Sequence, residues 1–402
     1  MTAIIVIGAG QAGAALAAKL RALGYQGALT MIGEETAPPY QRPPLSKAYL
    51  LGEMELERLY LRAPSFWADQ NVELRLGARV TAIDPQAKTV TVDGETLSYD
   101  QLALTTGSRP RNLPAAIGGD LGNVFTVRTL ADVDRMAPSF AKGARALIVG
   151  GGYIGLEAAA VASKLGLKVT LIEAAPRILQ RVAAPETSDY FRKLHTLHGV
   201  EIIEGTGLER LLGEGRVTGA RLADGREIQA DVVIVGIGII PNAELAEAAG
   251  LTLENGIRTD ESGRTSDPAI WSAGDCASFP WKGGRIRLES VGNAIDQAEL
   301  VAENMLGAGK AYEARPWFWS DQYDTKLQIA GLNTGYDQIV TRTGDEGAVS
   351  FWYYQGAQLL AVDAMNDSRA YMIGKRLIEA GKSPAPAVIA DPATDLKALL
   401  KA

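Results

Sequence analysis

Two glycine loops, each set between an apolar strand and a helix of small residues, constrain this 402-residue chain more than any other feature. The first follows Ile4-Ile5-Val6-Ile7 and reads Gly8-Ala9-Gly10-Gln11-Ala12-Gly13. An alanine-rich helix is predicted to Leu23, with Gly24 as its stop, and the strand Leu29 to Ile32 leads to Glu34. The second follows Ala146 to Val149 and reads Gly150-Gly151-Gly152-Tyr153-Ile154-Gly155; its helix runs from Leu156 to Leu165, and the strand Val169 to Ile172 ends at Glu173. Such loops bring backbone N–H groups and a helix N-terminus up to a pyrophosphate, and the acid after the second strand takes ribose hydroxyls. Gly13 to Glu34 spans 21 positions and Gly155 to Glu173 spans 18. Both lie near the roughly 20 that this arrangement sets. One such loop would be weak evidence. Two, each with its strand, helix and acid in place, predict two dinucleotide sites in two βαβ units.

The rest of the chain narrows the chemistry. Cys276 is the only cysteine, so no disulfide can form within the chain, which suits a reducing cytoplasm. We expect it to be a small buried residue. His195 and His198 are the only histidines; they are expected on a solvated helix face, with no metal site. The net charge of −7 argues against nucleic acid as a partner. No apolar run reaches membrane-spanning length, and no signal peptide is expected at the N-terminus. The prolines of Pro38 to Pro44 exclude regular helix or central strand before Lys47. Val232 to Val235 before Gly236-Ile237-Gly238 reads as another buried strand, and Asn293 to Leu306 as a helix with Asp296, Glu299 and Glu303 outward. From Pro316 onward the pattern changes: Val349 to Tyr354 and Gln358 to Val362 read as a hairpin around Gln355-Gly356, and Ser368 to Ala380 as a final long helix. Trp317 and Trp319 alternate as in a strand, which suggests that one of them faces the core.

Four motifs then carry a family resemblance: Pro43-Pro44-Leu45-Ser46-Lys47, the stretch IVGGGYIGLE from Ile148 to Glu157, Gly274-Asp275-Cys276-Ala277, and Pro316-Trp317-Phe318-Trp319-Ser320-Asp321-Gln322-Tyr323. Their kinds and order resemble the putidaredoxin and rubredoxin reductases, FAD-dependent and NADH-oxidising ferredoxin reductases. The resemblance covers essentially the whole chain. It implies an α/β protein with two Rossmann-like dinucleotide-binding domains of glutathione-reductase type and a C-terminal α+β domain. The boundaries expected are 1–112 with 243–315 for FAD, 113–242 for NAD, and 316–402 for the last domain.

By the same resemblance, Gly8, Gly10, Ala12, Gly13 and Glu34 would hold the diphosphate and adenosine ribose of non-covalent FAD. Arg42, Lys47, Arg128, Asp275 and Trp319 would lie along that cofactor, with Lys47 at the flavin ring and Asp275 on the ribityl chain. Val80 would meet the adenine and Val291 the flavin pyrimidine edge through their backbones. Gly150, Gly152, Tyr153, Ile154, Gly155, Glu173 and Gly238 would hold NAD. Glu173, followed by Ala174 and Ala175, favours NADH over NADPH, with Arg177 nearby as the opposing feature. Lys47 and Glu157 would pair where nicotinamide meets flavin. Without a dithiol, electrons would leave the flavin directly, for a 2Fe-2S ferredoxin and through it a monooxygenase. Arg285, Arg287, Lys326, Arg369, Lys375 and Arg376 are candidates for docking an acidic ferredoxin. Reduction of a small acceptor (monodehydroascorbate, a quinone or oxygen) stays open, as does an interaction protein resembling apoptosis-inducing factor.

Overall fold

The computed structural model describes residues 2–401. The chain divides into two compact units. One consists of Met1–Gln41, Glu55–Arg109 and Ile239–Pro316; the other consists of Arg42–Met54, Pro110–Gly238 and Trp317–Ala402.

The first unit is built on a parallel sheet in the order Ile270–Ser272, Gln101–Leu104, Ala3–Ile7, Ala28–Gly33, Glu73–Leu76. Ala3–Ile7 is central and apolar throughout, as a strand covered on both faces must be. The helix Gln11–Ala22 packs against the helix Val291–Met305. Ala14, Leu16, Ala17, Ala294, Ala298, Val301 and Ala302 share one core, and the small residues let the two backbones approach closely. Glu299 and Glu303 do not simply face solvent: Lys19 on the partner helix lies 3.2 Å from each carboxylate. Cys276 is fully buried, as expected.

The second unit carries its own parallel sheet, ordered Glu201–Glu204, Lys168–Glu173, Arg145–Val149, Val232–Val235, Val124–Phe125. It also holds an antiparallel sheet ordered Trp317–Gln322, Thr325–Gly331, Gln358–Met365, Val349–Gln355, Gln338–Thr343, with the helix Ser368–Glu379 packed against it. The hairpin expected at Gln355-Gly356 is present, and Gly356 takes a left-handed φ of +54° at its turn. Strand Trp317–Gln322 lies on the helix Tyr153–Lys164.

Two expectations are corrected. His195 is not on a solvated face; it is fully buried, with Nε2 2.8 Å from Gln322 Oε1. A helix of mixed composition hides a polar residue when a distant segment brings a partner, and strand Trp317–Gln322 does so here. Neither Trp317 nor Trp319 enters the core. Residues two apart in a strand share a face, and these two stack on one another, half-buried, with ring centroids 5.4 Å apart.

Candidate active site

Within the first unit the glycine loop divides its glycines by task. A Cβ on Gly8 would lie 2.2 Å from Thr105 O and one on Gly13 2.0 Å from Gly8 O, so those positions close the turn and admit the helix. A Cβ on Gly10 would meet nothing within 4 Å. That open side, next to the free N–H groups of the first helical turn, is where a pyrophosphate would lie. Ala12 is buried in that turn. Glu34 lies beyond the second strand, exposed and 3.0 Å from Arg79 Nε. Val80 is buried at the start of strand Val80–Asp84. Asp275 accepts from Ser108 Oγ at 2.9 Å. The last long helix of this unit starts at Val291, two residues earlier than the sequence suggested, because Ser290 caps it by accepting from Asn293 N at 3.1 Å. Val291 therefore sits in the electropositive first turn itself.

The second unit repeats the division. Gly150 and Gly155 are closed off at 2.4 Å from Gly236 O and 2.1 Å from Gly150 O, whereas Gly152 faces open space. Glu173 accepts from Gly151 N at 2.7 Å and from Ala175 N at 2.8 Å, which clamps its carboxylate beside the loop. Arg177 is turned elsewhere and donates to Ser188 Oγ at 2.6 Å. Gly238 has φ +99°, and its carbonyl accepts from Arg111 N. Ile154 is exposed. The Tyr153 ring rests 4.8 Å from Phe318, and its buried hydroxyl has no partner among the described residues. Arg42 donates to the carbonyl of Arg128 at 2.7 Å. Trp319 belongs to this unit, in the Trp317–Gln322 strand.

The same unit brings Lys47 and Glu157 together. Pro43–Ser46 makes one 3₁₀ turn, in which the Pro44 carbonyl accepts from Lys47 N and Tyr49 N, each at 3.0 Å. The prolines preset the backbone, and the turn aims two consecutive side chains at one carboxylate. Lys47 Nζ lies 3.0 Å from Glu157 Oε1, and Ser46 Oγ donates to Glu157 Oε2 at 3.0 Å. From the strand side, Ser320 Oγ donates to Glu157 Oε1 at 2.6 Å. Asp321 is the next acid, 4.0 Å from Lys47 Nζ. Burial raises the Glu157 pKa, against the pull of Lys47 and both serines toward the ionised form. The sequence reading misses Ser46 and Ser320 as site residues, although both stand inside the proline and tryptophan motifs. Their signal was position: each adjoins a charged residue in a segment of constrained backbone.

The docking cations suggested for this surface fare unevenly. Arg285 is largely buried and donates to the carbonyls of Thr259 and Ser278, both at 2.6 Å. Arg287 is 9% exposed and tied to Glu289. Both are spent inside the protein. Lys375 lies over the Trp317 ring, 5.3 Å from its centroid. Among the described residues no cluster of acids, cysteines and histidines could hold a metal, and no helix is long and apolar enough to cross a membrane.

The pyridine nucleotide-disulphide oxidoreductase model matches residues 2–298, and the reductase C-terminal model matches residues 317–400. The chain is 42% identical over 412 residues to putidaredoxin reductase CamA of Pseudomonas putida, covering 99% of this chain and 97% of that one. The chain belongs to the ferredoxin reductases of the pyridine nucleotide-disulphide oxidoreductase family. This reductase is also 45% identical to a ferredoxin–NAD(P)+ reductase of Sphingomonas sp, over 94% of its length and 92% of the relative's. The crystal structure of a covalent putidaredoxin reductase–putidaredoxin complex superposes with a TM-score of 0.96 at 41% identity, covering 100% of the reductase and 98% of that chain.

Proposed function

We propose that the reductase oxidises NADH and passes the electrons through FAD to a 2Fe-2S ferredoxin that serves an oxygenase, in the cytoplasm. The single buried cysteine carries this reading. The family takes its name from disulphide chemistry, yet a chain with one sealed thiol has no dithiol relay to offer an acceptor. Bound FAD would supply the chemistry that takes a hydride and releases electrons singly. The open sides of Gly10 and Gly152, and the unpartnered hydroxyl of Tyr153, fit two dinucleotides. In the division suggested by the sequence, 1–112 with 243–315 holds FAD, 113–242 holds NAD, and 316–402 borders the site.

The chain's own part is binding and orientation. Gly8, Gly10, Ala12, Gly13 and Glu34 would hold the FAD pyrophosphate and ribose, with Val80, Asp275 and Val291 further along the cofactor. Arg42, Arg128 and Trp319 would border it. Gly150, Gly152, Tyr153, Ile154, Gly155, Glu173 and Gly238 would seat NADH. The clamped carboxylate of Glu173 would accept from a ribose 2′-hydroxyl and repel a 2′-phosphate. Arg177, held by Ser188, is directed away from that task. Lys47, fixed by Glu157, would hold its ammonium at the reacting face without itself giving up a proton.

Steady-state turnover with NADH and either a 2Fe-2S ferredoxin, a quinone, monodehydroascorbate or oxygen tests the reading. Faster reduction of the ferredoxin than of any small acceptor is expected. The opposite order would favour a small-molecule reductase, and slow turnover with a long-lived charge-transfer complex an interaction protein.

A further inference from the structure

The hydrogen bonds reaching Glu157 from the strand side do not stop at Ser320. Gln322 Nε2 donates to Ser320 Oγ at 3.1 Å, and Gln322 Oε1 lies 2.8 Å from His195 Nε2. His195 Nδ1 in turn lies 3.3 Å from the Tyr323 hydroxyl. Glu157, Ser320, Gln322 and His195 are all buried, the last three fully or nearly so.

Chemistry assigns the direction of every link. An amide nitrogen has no lone pair to accept with, so Gln322 Nε2 must donate to Ser320 and its oxygen must face His195. His195 therefore carries its proton on Nε2 and accepts on Nδ1 from Tyr323. Ser320, having accepted from Gln322, spends its own proton on Glu157. Burial depresses the His195 pKa to about 4, so the neutral ring that this pattern requires persists through the neutral range. The chain is thus one-way, from Tyr323 through His195, Gln322 and Ser320, and ends on the carboxylate that holds Lys47.

We propose that His195, Gln322 and Ser320 are positioning residues of the hydride-transfer site, a polarised hydrogen-bond chain from helix Pro185–Leu197 through strand Trp317–Gln322 that keeps the Glu157 carboxylate turned to Lys47. The proposal rests on the reductase reading for its consequence in catalysis, but not for the chain itself. A serine hydroxyl alone would orient the carboxylate loosely, since it can rotate; one already bound to Gln322 cannot. Aligned links also polarise one another, which strengthens the terminal bond. Among the described residues the charged group that faces Glu157 is Lys47 from the proline turn, with Asp321 from the strand on the far side of that ammonium. Neither changes in the variants below.

The test uses Ser320→Ala, Ser320→Thr and Gln322→Met in the flavin-loaded enzyme, each checked for native near-UV dichroism. Stopped-flow reduction by NADH is followed across pH. Infrared titration of the Glu157 carboxylate, assigned with Glu157→Gln, is run in parallel on the chain as purified. We expect the acid limb of the rate profile and the carboxylate titration both to move up by about one pH unit in Ser320→Ala. A smaller shift in the same direction is expected in Gln322→Met, whose link is one bond further away, and recovery in Ser320→Thr, which restores the hydroxyl. Unchanged titrations in both Ser320→Ala and Gln322→Met would overturn the chain. A carboxylate titration that shifts while the reduction profile stays put would keep the chain and refute its role in hydride transfer. If the wild-type chain takes up no flavin, the reductase reading falls, and the infrared titration still decides the chain.

Discussion

Glutamine in place of Glu173 is the sharpest probe of which nicotinamide dinucleotide the protein prefers. The carboxylate takes two backbone bonds, 2.7 Å from Gly151 N and 2.8 Å from Ala175 N, so its rotamer is set before any ligand arrives. Glutamine has nearly the same shape but keeps only one acceptor oxygen, so one of the two backbone bonds is lost together with the charge. A hydrogen bond to a charged group contributes about 1.5–3 kcal/mol, and its neutral counterpart about 1, leaving a difference of about 0.5–2 kcal/mol. At about 1.4 kcal/mol per decade, kcat/KM for NADH should fall roughly 2- to 30-fold. For NADPH the same change removes a repulsion, so its kcat/KM should hold or rise. The quantity to measure is the ratio of the two, because any loosening of the glycine loop affects both nucleotides alike and cancels. Arg177 adds a second arm. Ser188→Ala in the Glu173→Gln background removes its 2.6 Å tether and should lift NADPH use further. A ratio within twofold of wild type in Glu173→Gln would refute the assignment of Glu173 to the 2′-hydroxyl.

Other outcomes follow from the geometry. Lys47→Ala strands a buried carboxylate and should cost about 3 kcal/mol in denaturant unfolding. Adding Glu157→Gln should recover much of that loss, and a double variant no more stable than the single one would contradict the pairing. Gly13→Ala should lower the melting temperature, since its Cβ would stand 2.0 Å from Gly8 O, whereas Gly10→Ala should fold normally and be purified with less flavin. Absorbance at the flavin band and a thermal melt separate the two. Burial raises the Asp363 pKa to about 6, where it accepts from Tyr353 and Thr187, while burial lowers that of His195 to about 4. The folded state thus holds a proton on Asp363 that the unfolded state has released, so this group costs stability as pH rises from about 4 to 6. His195 does the reverse, costing stability as pH falls from about 6.5 to 4. The two slopes offset, and Asp363→Asn should leave a steeper acid loss, on the order of 3 kcal/mol across that window. Equal pH slopes for the variant and the wild type would dispose of the argument.

What the sequence made legible was local. A glycine that must clear a carbonyl, and an acid about twenty residues on, sit within one βαβ unit, so spacing alone reveals them. Lys47 and Glu157 stand 110 positions apart and were joined only through a family likeness, because nothing in either segment encodes the other. Gln322 and His195 were out of reach for the same reason. A histidine among polar neighbours on a helix reads as solvated until strand Trp317–Gln322 closes over it. The expectation that one tryptophan of the pair faces the core fails for a simpler reason, since a period of two puts Trp317 and Trp319 on one side of their strand. Arg285 and Arg287 looked like surface cations because composition cannot tell a solvated guanidinium from one that satisfies buried carbonyls.

The thirteen residues Arg42–Met54 belong by contact to the second unit, although the chain on either side of them belongs to the first. This short excursion has a consequence for biogenesis. The chain passes from one unit to the other five times, so neither unit corresponds to a stretch that a ribosome could release and let fold. The first cannot close until Pro316 has emerged, and the second waits for the last strands and helix. Lys47 is made early and stays without its carboxylate until Glu157 follows, and that carboxylate stays without Ser320 for another 163 residues.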